Sequence, residues 1–526
     1  MKRLFFAIAI LPWILFACES TRNRPAESQT AAMEISTIPV TAAENKFDTE
    51  GYVAITENEF QTAKEHPLST FSVDVDKAAY SNVRRFINSG ARPPAGAVRI
   101  EELVNYFDYD YASPQSGEPF NVITEIAECP WNTRHRLVHI GVKGKEIPEE
   151  ALPASNLVFL IDVSGSMQDE DKLPLLKKSM LLLTDKLRPD DRVAIVAYAG
   201  NAGLVLPSTS GENKSRIREA IAELEAGGST AGGEGIQLAY QVARENFIEK
   251  GNNRILLATD GDFNVGTSSE DALVRLIEEK RKTGVFLSVL GFGTGNYQDS
   301  KMQQLADKGN GNHSYIDNIS EAQKVLVNEF GGTLFAIAKD VKIQVEFNPA
   351  KVQAYRLIGY ENRMLNKEDF NDDKKDAGEI GSGHTVTALY EVIPPGVKNE
   401  FEKTVDELKY QPVAKRAGMS ATDEMFTVKL RYKDVDATRS KLITVPVADR
   451  AAGIDETSDN FRFAAAVAEF GLLLRNSGFK QNSSYKEVLA LASGATGRDK
   501  NGYRGEFITL VKKSAALPGD ETALND

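Results

Sequence analysis

The sequence predicts an α/β fold, a doubly wound and mostly parallel sheet inserted in a β-rich domain, with helical segments near the N- and C-terminal ends. Two patterns predict this fold. Between residues 154 and 336, continuous apolar runs alternate with stretches of helical spacing, as expected for buried parallel strands covered by helices on both faces. On both sides of this region, apolar and polar residues alternate with a period of two, which is typical of half-solvated antiparallel strands.

The inserted unit opens with LVFLI, a continuous apolar run at residues 157–161. The helical stretch KLPLLKKSMLLLTDKL comes next, and the alternation continues with RVAIVAYA, RIREAIAEL, GIQLAYQVARENF, RILLATDG, DALVRLIEEKRK, VFLSVLGFG and EAQKVLVNEF. Because strands that alternate with helices build parallel sheets, we place an open sheet within residues 154–336.

The flanking segments read as strands and helices of one β-rich domain. Strands are predicted at FNVITEIAE and RLVHIGVKG before the unit, and at VKIQVEF, TVTALYEV, MFTVKLRYK and KLITVPV after it. Helices are predicted at KAAYSNVRRFINSG, VRIEELVNYF, NFRFAAAVAEFGLLLRN and YKEVLALASGA. We assign residues 66–153 to an N-terminal segment and residues 337–526 to a C-terminal segment, and we expect their strands to combine.

Composition excludes one class of partner. The chain has 526 residues, of which 42% are hydrophobic and 26% are charged, as in an ordinary globular protein of two or more domains. Its formal net charge of -13 argues against a phosphate-binding surface. Nucleic acid is therefore not an expected partner.

The N-terminus has the pattern of an export signal. Lys2 and Arg3 precede an apolar run at residues 4–17 that is too short to span a bilayer comfortably. The end of this run, LFAC, resembles a bacterial lipobox, which implies a signal peptide at residues 1–17 and a lipid on Cys18. An ordinary cleaved signal is the alternative. We expect a protein anchored by lipid in the bacterial cell envelope, at the outer membrane or facing the periplasm.

Residues 18–65 are polar and lack a sustained apolar period, so they predict a flexible tether. Cys129 is the second of two cysteines in the chain, which excludes a disulfide framework. We expect Cys129 to be a buried free thiol.

Oxygen-bearing side chains follow the buried strands of the inserted unit. Asp162, Ser164 and Ser166 come at every second position after LVFLI, Thr230 lies in the glycine-rich stretch GGSTAGGEG, and Asp260 follows RILLAT. In an open parallel sheet these positions meet at the carboxyl edge of the strands. Two carboxylates and three hydroxyls form an all-oxygen set that suits Mg²⁺. The alternative is a helix-capping aspartate and serines without a metal.

This set, DxSxS followed by a threonine and then an aspartate in TDG, resembles the metal-ion-dependent adhesion site of von Willebrand factor type A (VWA) domains. The resemblance implies one Mg²⁺ ion, or Mn²⁺ or Ca²⁺ in its place. It implies that Ser164, Ser166 and Thr230 lie close to the metal and that Asp162 and Asp260 bind it directly or through water. It also implies a protein partner whose Asp or Glu completes the coordination.

The resemblance extends along the chain. PLSTFSVDVDKAAYSNVRR, RIEELVNYFDYDY, ECPWN and LIGYENRMLNKEDFNDDKKDAGEIGSGHTVTALYE are similar to segments of the YfbK-type bacterial VWA lipoproteins. That family carries one conserved segment before the VWA domain and another after it. The resemblance therefore implies an architecture more directly than a biochemical role.

Other motifs give weaker signals. Asp74 and Asp76 are placed like a phosphatase DxD, but Ala78 lacks the side chain that this motif needs, which favours a structural turn. The third glycine of GFGTG comes too early for a dinucleotide loop, so we expect a loop beside the metal edge. His135 and His139 lie on a predicted strand, where their spacing separates them and argues against a zinc site.

The acidic run EDFNDDKKDAGE lacks the glycine of a calcium loop and predicts a solvated loop. No GxSxG motif is present, and no general base stands beside the metal set. We therefore expect a non-enzymatic adhesion or binding protein of the envelope. The alternatives are a structural assembly module with permanent metal ligation and, less favoured, a metal-assisted hydrolase.

Overall fold

The computed structural model describes residues 50–228, 232–261, 263, 270–329, 335–375, 377–401 and 422–518. The predicted signal peptide, Cys18, most of the tether and Thr230 lie outside the described residues. No helix within these ranges is long and apolar enough to cross a membrane.

The inserted unit contains one open sheet. Its strands and helices are, in chain order, β5 (Ser155–Asp162), α3 (Leu173–Lys186), β6 (Arg192–Tyr198), β7 (Ala202–Ser210), α4 (Lys214–Ala222), α5 (Gly232–Glu245), β8 (Asn252–Thr259), α6 (Glu270–Arg281), β9 (Phe286–Phe292), α7 (Asp299–Lys308), β10 (His313–Ile316) and α8 (Ile319–Gln323). The strand order is β10-β9-β8-β5-β6-β7, parallel throughout except for the antiparallel edge strand β7. The predicted doubly wound sheet is confirmed.

Strand β5 shows why the sheet is covered on both faces. All eight of its residues are buried, and successive side chains alternate between two apolar clusters. Leu157 and Phe159 pack with α3 and α4, whereas Val158 and Leu160 pack with α5 and α7. Because neither face of β5 contacts solvent, its sequence does not alternate between apolar and polar residues, which explains the continuous apolar run.

Strands from both sides of the inserted unit combine in two further sheets. The elements are β1 (Gln61–Thr62), β2 (Leu68–Ser72), β3 (Phe120–Cys129), β4 (Asn132–Gly144), β11 (Ala336–Phe347), β12 (Ala354–Ile358), β13 (Gly378–Gly381), β14 (Thr385–Ile393), β15 (Glu424–Asp434) and β16 (Lys441–Ala448). One sheet has the order β1-β12-β14-β4-β3, and the other has the order β13-β11-β15-β16 with β2 paired to β11. The flanks therefore share their β structure, as the sequence predicts.

A helical layer covers the first of these sheets. It contains α1 (Ala78–Asn88), α2 (Ile100–Asn105), α9 (Asp459–Arg475), α10 (Tyr485–Ser493) and α11 (Tyr503–Ala515). These helices share one apolar cluster with Leu137 and Leu389 of the sheet, while Val138 and Tyr390 on the opposite face pack against the second sheet. Cys129 is a buried free thiol in this cluster, as expected.

Three elements of the inserted unit are not predicted from the sequence. Strand β7 contains Pro207, which removes a ladder hydrogen bond and is tolerated because β7 is an edge strand. Helix α7 has a polar sequence, DSKMQQLADK, and β10 is only four residues long. The predicted helix EAQKVLVNEF continues from α8 as a π-helix at Lys324–Asn328.

The tether prediction is wrong for residues 50–65, which pack on the folded unit. Gly51 N donates a hydrogen bond of 3.0 Å to Tyr297 O. The Tyr52 ring packs against Tyr297, and β1 pairs with β12. Aromatic contacts and backbone pairing stabilise this segment despite its polar composition, which is why composition alone did not reveal it.

Ion pairs join the inserted unit to its flanks. Arginines outside the unit pair with acidic residues inside it, namely Arg84 with Asp317 and Glu321, Arg99 with Asp299, and Arg363 with Asp307. The side chains of Arg84 and Arg99 are at most 4% exposed. Burial makes such pairs sensitive to the loss of one partner, so the flanks hold the unit in one arrangement.

Candidate metal centre

The predicted site lies at the point where the strand order reverses. From β5 the chain moves outward to β6 and β7, and it then returns to place β8 on the other side of β5. Asp162 is the last residue of β5, and Asp260 directly follows β8, its parallel neighbour. A crevice outside the carboxyl ends of the strands at such a reversal is the usual ligand site of open α/β sheets.

Asp162 is buried and held by three hydrogen bonds. Ser164 N donates to its Oδ1 at 2.9 Å, and Tyr198 OH and Thr259 Oγ1 lie 3.2 and 3.4 Å from its Oδ2. Burial raises the pKa of Asp162 to about 6, although the hydrogen bonds from Ser164 oppose this shift, and the nearby charge of Asp260 adds to it. A cation at this edge would stabilise the carboxylate form.

The two serines extend the oxygen set. Ser164 Oγ and Ser166 Oγ lie 3.0 Å apart, and Ser166 is exposed at the start of a short 3₁₀ turn. The turn is tied to the glycine-rich segment, because Gly165 N donates to Gly228 O at 3.1 Å. Thr230 lies outside the described residues, so its predicted role stays a prediction.

Asp260 is fully buried and has a cationic neighbour, Lys172. Burial by itself would raise the pKa of Asp260, but the hydrogen bond and charge of Lys172 lower it below its usual value, assisted by Asn296 and Ser166. Lys172 Nζ lies 2.9 Å from Asp260 Oδ2. The carboxyl group of Asp260 is therefore readily ionised, whereas burial disfavours the ionised form of Asp162.

Sequence analysis missed Lys172. The residue sits immediately before α3, and its aliphatic stem passes Gly293, where an added Cβ would lie 2.3 Å from Lys172 Cε. Gly293, with a φ of +72°, belongs to GFGTG, so this loop flanks the edge at which Asp260 lies. A lysine in the turn after DxSxS, together with a glycine after another buried strand, was the available signal.

The residues fit a hard divalent ion. The described part of the site offers two carboxylates and two hydroxyls, all oxygen donors, and Asn296 adds a buried Oδ1 without a hydrogen-bond partner among the described residues. No group of three or more His, Cys, Asp or Glu side chains within the described ranges could hold a metal. The candidate site differs from such a group because it combines two carboxylates with serine hydroxyls.

The weaker sequence motifs have structural partners. Asp74 and Asp76 pair with Arg363, and Asp76 Oδ1 accepts a hydrogen bond of 2.7 Å from His313 N, consistent with the structural turn. His135 and His139 lie on β4 and have different partners, Glu391 and Tyr111 respectively. In the acidic run at residues 368–379, the described acidic residues are exposed or half-buried, whereas Phe370 and Gly378 are buried.

The fold and the DxSxS edge together define a VWA domain. A family model described as "von Willebrand factor type A domain" matches residues 156–329. Two further models match the flanks: one described as "von Willebrand factor" at residues 46–139, and one described as "Uncharacterized protein YfbK, C-terminal" at residues 332–517. These models leave only short parts of the described chain unmatched.

YfbK of Escherichia coli (strain K12) is 46% identical over 481 residues, which cover 90% of this chain and 81% of YfbK. The chain therefore belongs to the YfbK-type family of VWA proteins. Inter-alpha-trypsin inhibitor heavy chain H4 of Homo sapiens is 30% identical over 146 residues, 26% of this chain and 16% of that protein. Among solved structures, the alignment with a von Willebrand factor type A protein from Catenulispora acidiphila covers 86% of this chain and 91% of that one, with 15% identity and a TM-score of 0.36.

Proposed function

We propose that this protein is a membrane-anchored binding protein of the bacterial cell envelope whose VWA domain engages a partner protein through a divalent metal ion. The observation that carries the proposal is that Asp162, at the end of β5, and Asp260, directly after the neighbouring parallel strand β8, lie at one sheet edge with the hydroxyls of Ser164 and Ser166. A bound Mg²⁺ supplies an exchangeable coordination position that an Asp or Glu of the partner fills.

The protein's own residues prepare the site. Hydrogen bonds from Tyr198 and Thr259 orient Oδ2 of Asp162, and Ser164 N donates to its Oδ1. Lys172 holds Asp260 in its charged form. Under the proposal, Ser164, Ser166 and the predicted Thr230 contribute neutral oxygens, so the ion keeps enough positive charge to attract a carboxylate of the partner.

Metal titration tests the site. Calorimetric titration of the full chain with Mg²⁺ and Mn²⁺ should show one ion bound, and Asp162→Ala should weaken its affinity at least tenfold, about the loss typical of residues that support a metal. The control is Asp190→Ala, which removes the same charge from an exposed position at the opposite edge of the sheet. Equal affinities in the parent protein and Asp162→Ala would refute the metal site.

Partner capture tests the adhesion step. Affinity capture from envelope extracts should recover a protein in the presence of Mg²⁺ and lose it in chelator or with Asp162→Ala. A free acidic peptide should compete for the same position. Capture that survives chelator, the peptide and the variant would exclude metal-mediated adhesion.

A structural assembly module is the second candidate. The buried pairs of Arg84 and Arg99 hold the VWA domain against its flanks, which favours a fixed arrangement within a larger complex. Such a module would keep its ion and its partner in the presence of a free acidic peptide. The competition experiment therefore separates the two candidates.

Lipidation of Cys18 is the proposed anchor. Cys18→Ala should lose fatty-acid labelling and move the protein from the membrane fraction to the soluble envelope fraction. Cys129→Ala is the matched control, because Cys129 is the other cysteine of the chain and is buried. A Cys18→Ala variant that stays membrane-bound as firmly as the parent would refute the anchor.

A further inference from the structure

A cavity of about 380 Å³ lies at the amino-terminal edge of the VWA sheet, opposite the candidate metal centre. Its walls come from three parts of the chain: the segment before the VWA domain, the VWA domain and the segment after it. Asp74 lies in the segment before the VWA domain, Arg254 in the VWA domain and Lys375 in the segment after it. The volume falls within the range of small-molecule sites in proteins.

Arg254 is the unusual residue of this cavity. It is 3% exposed, and no carboxylate lies within ion-pair distance of it among the described residues. In the described part of the chain, its side chain makes one hydrogen bond, from Nη1 to Ser288 Oγ at 2.7 Å, and its buried Nε–H has no partner. Its guanidinium lies 5.6 Å from the centre of the Phe286 ring. A guanidinium has five N–H donors, so most of its hydrogen-bonding capacity is unused.

Such burial is costly. A charge removed from water normally has an ion-pair partner, and an unpaired buried charge destabilises the fold. The cost is visible in the pKa of Arg254, which burial lowers to about 10 and which the charge of Glu379 only partly restores. Arg84 and Arg99, buried arginines of the flanks that face the VWA domain, have carboxylate partners.

The remaining charges of the cavity favour an anion over a cation. Among the described residues, five basic side chains line it, namely Arg254, Arg281, Lys308, Arg363 and Lys375, against three acidic ones, namely Asp74, Asp307 and Glu379. Two of the acids, Asp74 and Asp307, already pair with Arg363. Lys308 and Lys375 also have acidic partners, Glu278 and Asp369, so the positive charge that most needs an anionic ligand is that of Arg254.

We propose that this cavity binds a small organic anion, a molecule that carries a carboxylate or a phosphate, with Arg254 as its counter-ion. The guanidinium fork matches either oxyanion in a two-point contact. Hydroxyl and amide groups of Ser72, Asn310, Asn312 and Asn362 line the same cavity and supply partners for the rest of the ligand. Because the walls come from three chain segments, the ligand stabilises the packing of the VWA domain against its flanks.

Binding to the full chain tests the proposal. Inorganic phosphate and succinate are the two probes, titrated calorimetrically at constant ionic strength with chloride as the reference anion. We expect saturable binding of at least one probe and a higher melting temperature in its presence. Binding of phosphate alone or of succinate alone identifies the oxyanion, and the absence of binding by both would overturn the proposal.

Two variants locate the binding. Arg254→Met should weaken the affinity for the bound probe at least about thirtyfold, because it removes the buried partner of a charge pair. Lys375→Glu reverses a half-exposed charge of the cavity wall, should fold normally, and should weaken the affinity by roughly fivefold. Arg216→Glu, at an exposed position on α4 outside the cavity, is the charge-reversal control.

Equal affinities in the parent protein, Lys375→Glu and Arg216→Glu would place the anion on the general surface and overturn the proposal, even if Arg254→Met failed to fold. Mg²⁺ affinity should be unchanged in Lys375→Glu, because the cavity and the metal edge lie at opposite ends of the sheet. The anion site and the metal site can therefore fail independently.

Discussion

Lys172 Nζ lies 2.9 Å from Asp260 Oδ2, so one carboxylate of the candidate metal centre is already paired with a cationic side chain of the protein. The side chain of Lys172 is 6% exposed, and its aliphatic stem lies against Gly293. A divalent ion that uses Asp260 must share this carboxylate with Lys172. The lysine is therefore expected to set the metal affinity of the site.

Lys172→Met should raise the affinity for Mg²⁺ by about tenfold, because it removes a like charge within a few ångströms of the ion. Methionine keeps an unbranched stem that can occupy the space beside Gly293. Calorimetric titration of the variant and the parent protein measures the change. Lys178→Met, on the exposed face of the same helix, is the control. A lower affinity in Lys172→Met would instead show that Lys172 positions Asp260 for the metal.

The ion pairs at the flanks give a prediction about stability. Arg84 on α1 pairs with Asp317 and with Glu321, whose carboxylate is 2.7 Å away, at the end of the VWA domain. Arg84→Met would leave both acids without this partner in a largely buried environment. The free energy of unfolding should fall by about 3–5 kcal/mol.

The matched control is Arg218→Met, which breaks the exposed pair with Asp185. An exposed pair contributes at most about 1 kcal/mol, so this variant should unfold close to the parent protein. Urea denaturation of the full chain compares the two. Similar losses in both variants would show that the buried pairs do not hold the VWA domain to its flanks.

The sequence predicted those parts of the site that follow buried strands. Asp162 and Asp260 come directly after apolar runs, and parallel strands bring their carboxyl ends to one edge, so local pattern was sufficient. Lys172 was not predictable in this way, because it approaches Asp260 from the turn before a helix. Its position depends on the packing of that turn against Gly293, which is a tertiary contact.

The same limit applies to the fold. The insertion of the VWA domain was predicted, because the two periodicities differ clearly on either side of its boundaries. Strand partners were not predictable: β2 pairs with β11, more than 260 residues later in the chain, and a period of two does not specify a partner. Arg254 was also missed, because an arginine near the start of an apolar run gives no sign that its charge is buried.

His139 predicts a pH dependence of stability. It is buried, its Nε2 lies 2.8 Å from Tyr111 OH, and its Nδ1 has no hydrogen-bond partner among the described residues. Burial lowers the pKa of His139 from 6.5 to about 4. In the unfolded chain His139 is protonated as the pH falls below 6.5, whereas in the folded protein it stays neutral down to about pH 4. The free energy of unfolding therefore decreases as the pH drops through this window.

Replacement of His139 by Gln removes this proton and should reduce the loss of stability between pH 7.5 and pH 4.5 by about 2–3 kcal/mol. Glutamine retains a polar group near Tyr111. Urea denaturation of both proteins at the two pH values gives the difference directly. An identical pH dependence in parent and variant would show that His139 does not remain neutral in the fold.

The final prediction concerns the inserted unit as a fragment. Its sheet is complete between Ser155 and Ile316, and its two apolar clusters are built almost entirely from residues of the unit, with Ala78 as a buried exception. Residues 154–336 should therefore fold alone and unfold cooperatively. The fragment should be less stable than the same unit in the full chain, because Asp299 and Glu321 lose Arg99 and Arg84.

The C-terminal flank should behave differently. A fragment of residues 338–526 lacks β2, β3 and β4, so β14 and β11 lose paired neighbours and their apolar faces lose cover. It should show no cooperative transition. Circular dichroism melting of the two fragments compares them, with the full chain as the reference. A stable 338–526 fragment beside an unfolded 154–336 fragment would contradict the insertion, because the β-rich part would then not depend on strands from both sides of the VWA domain.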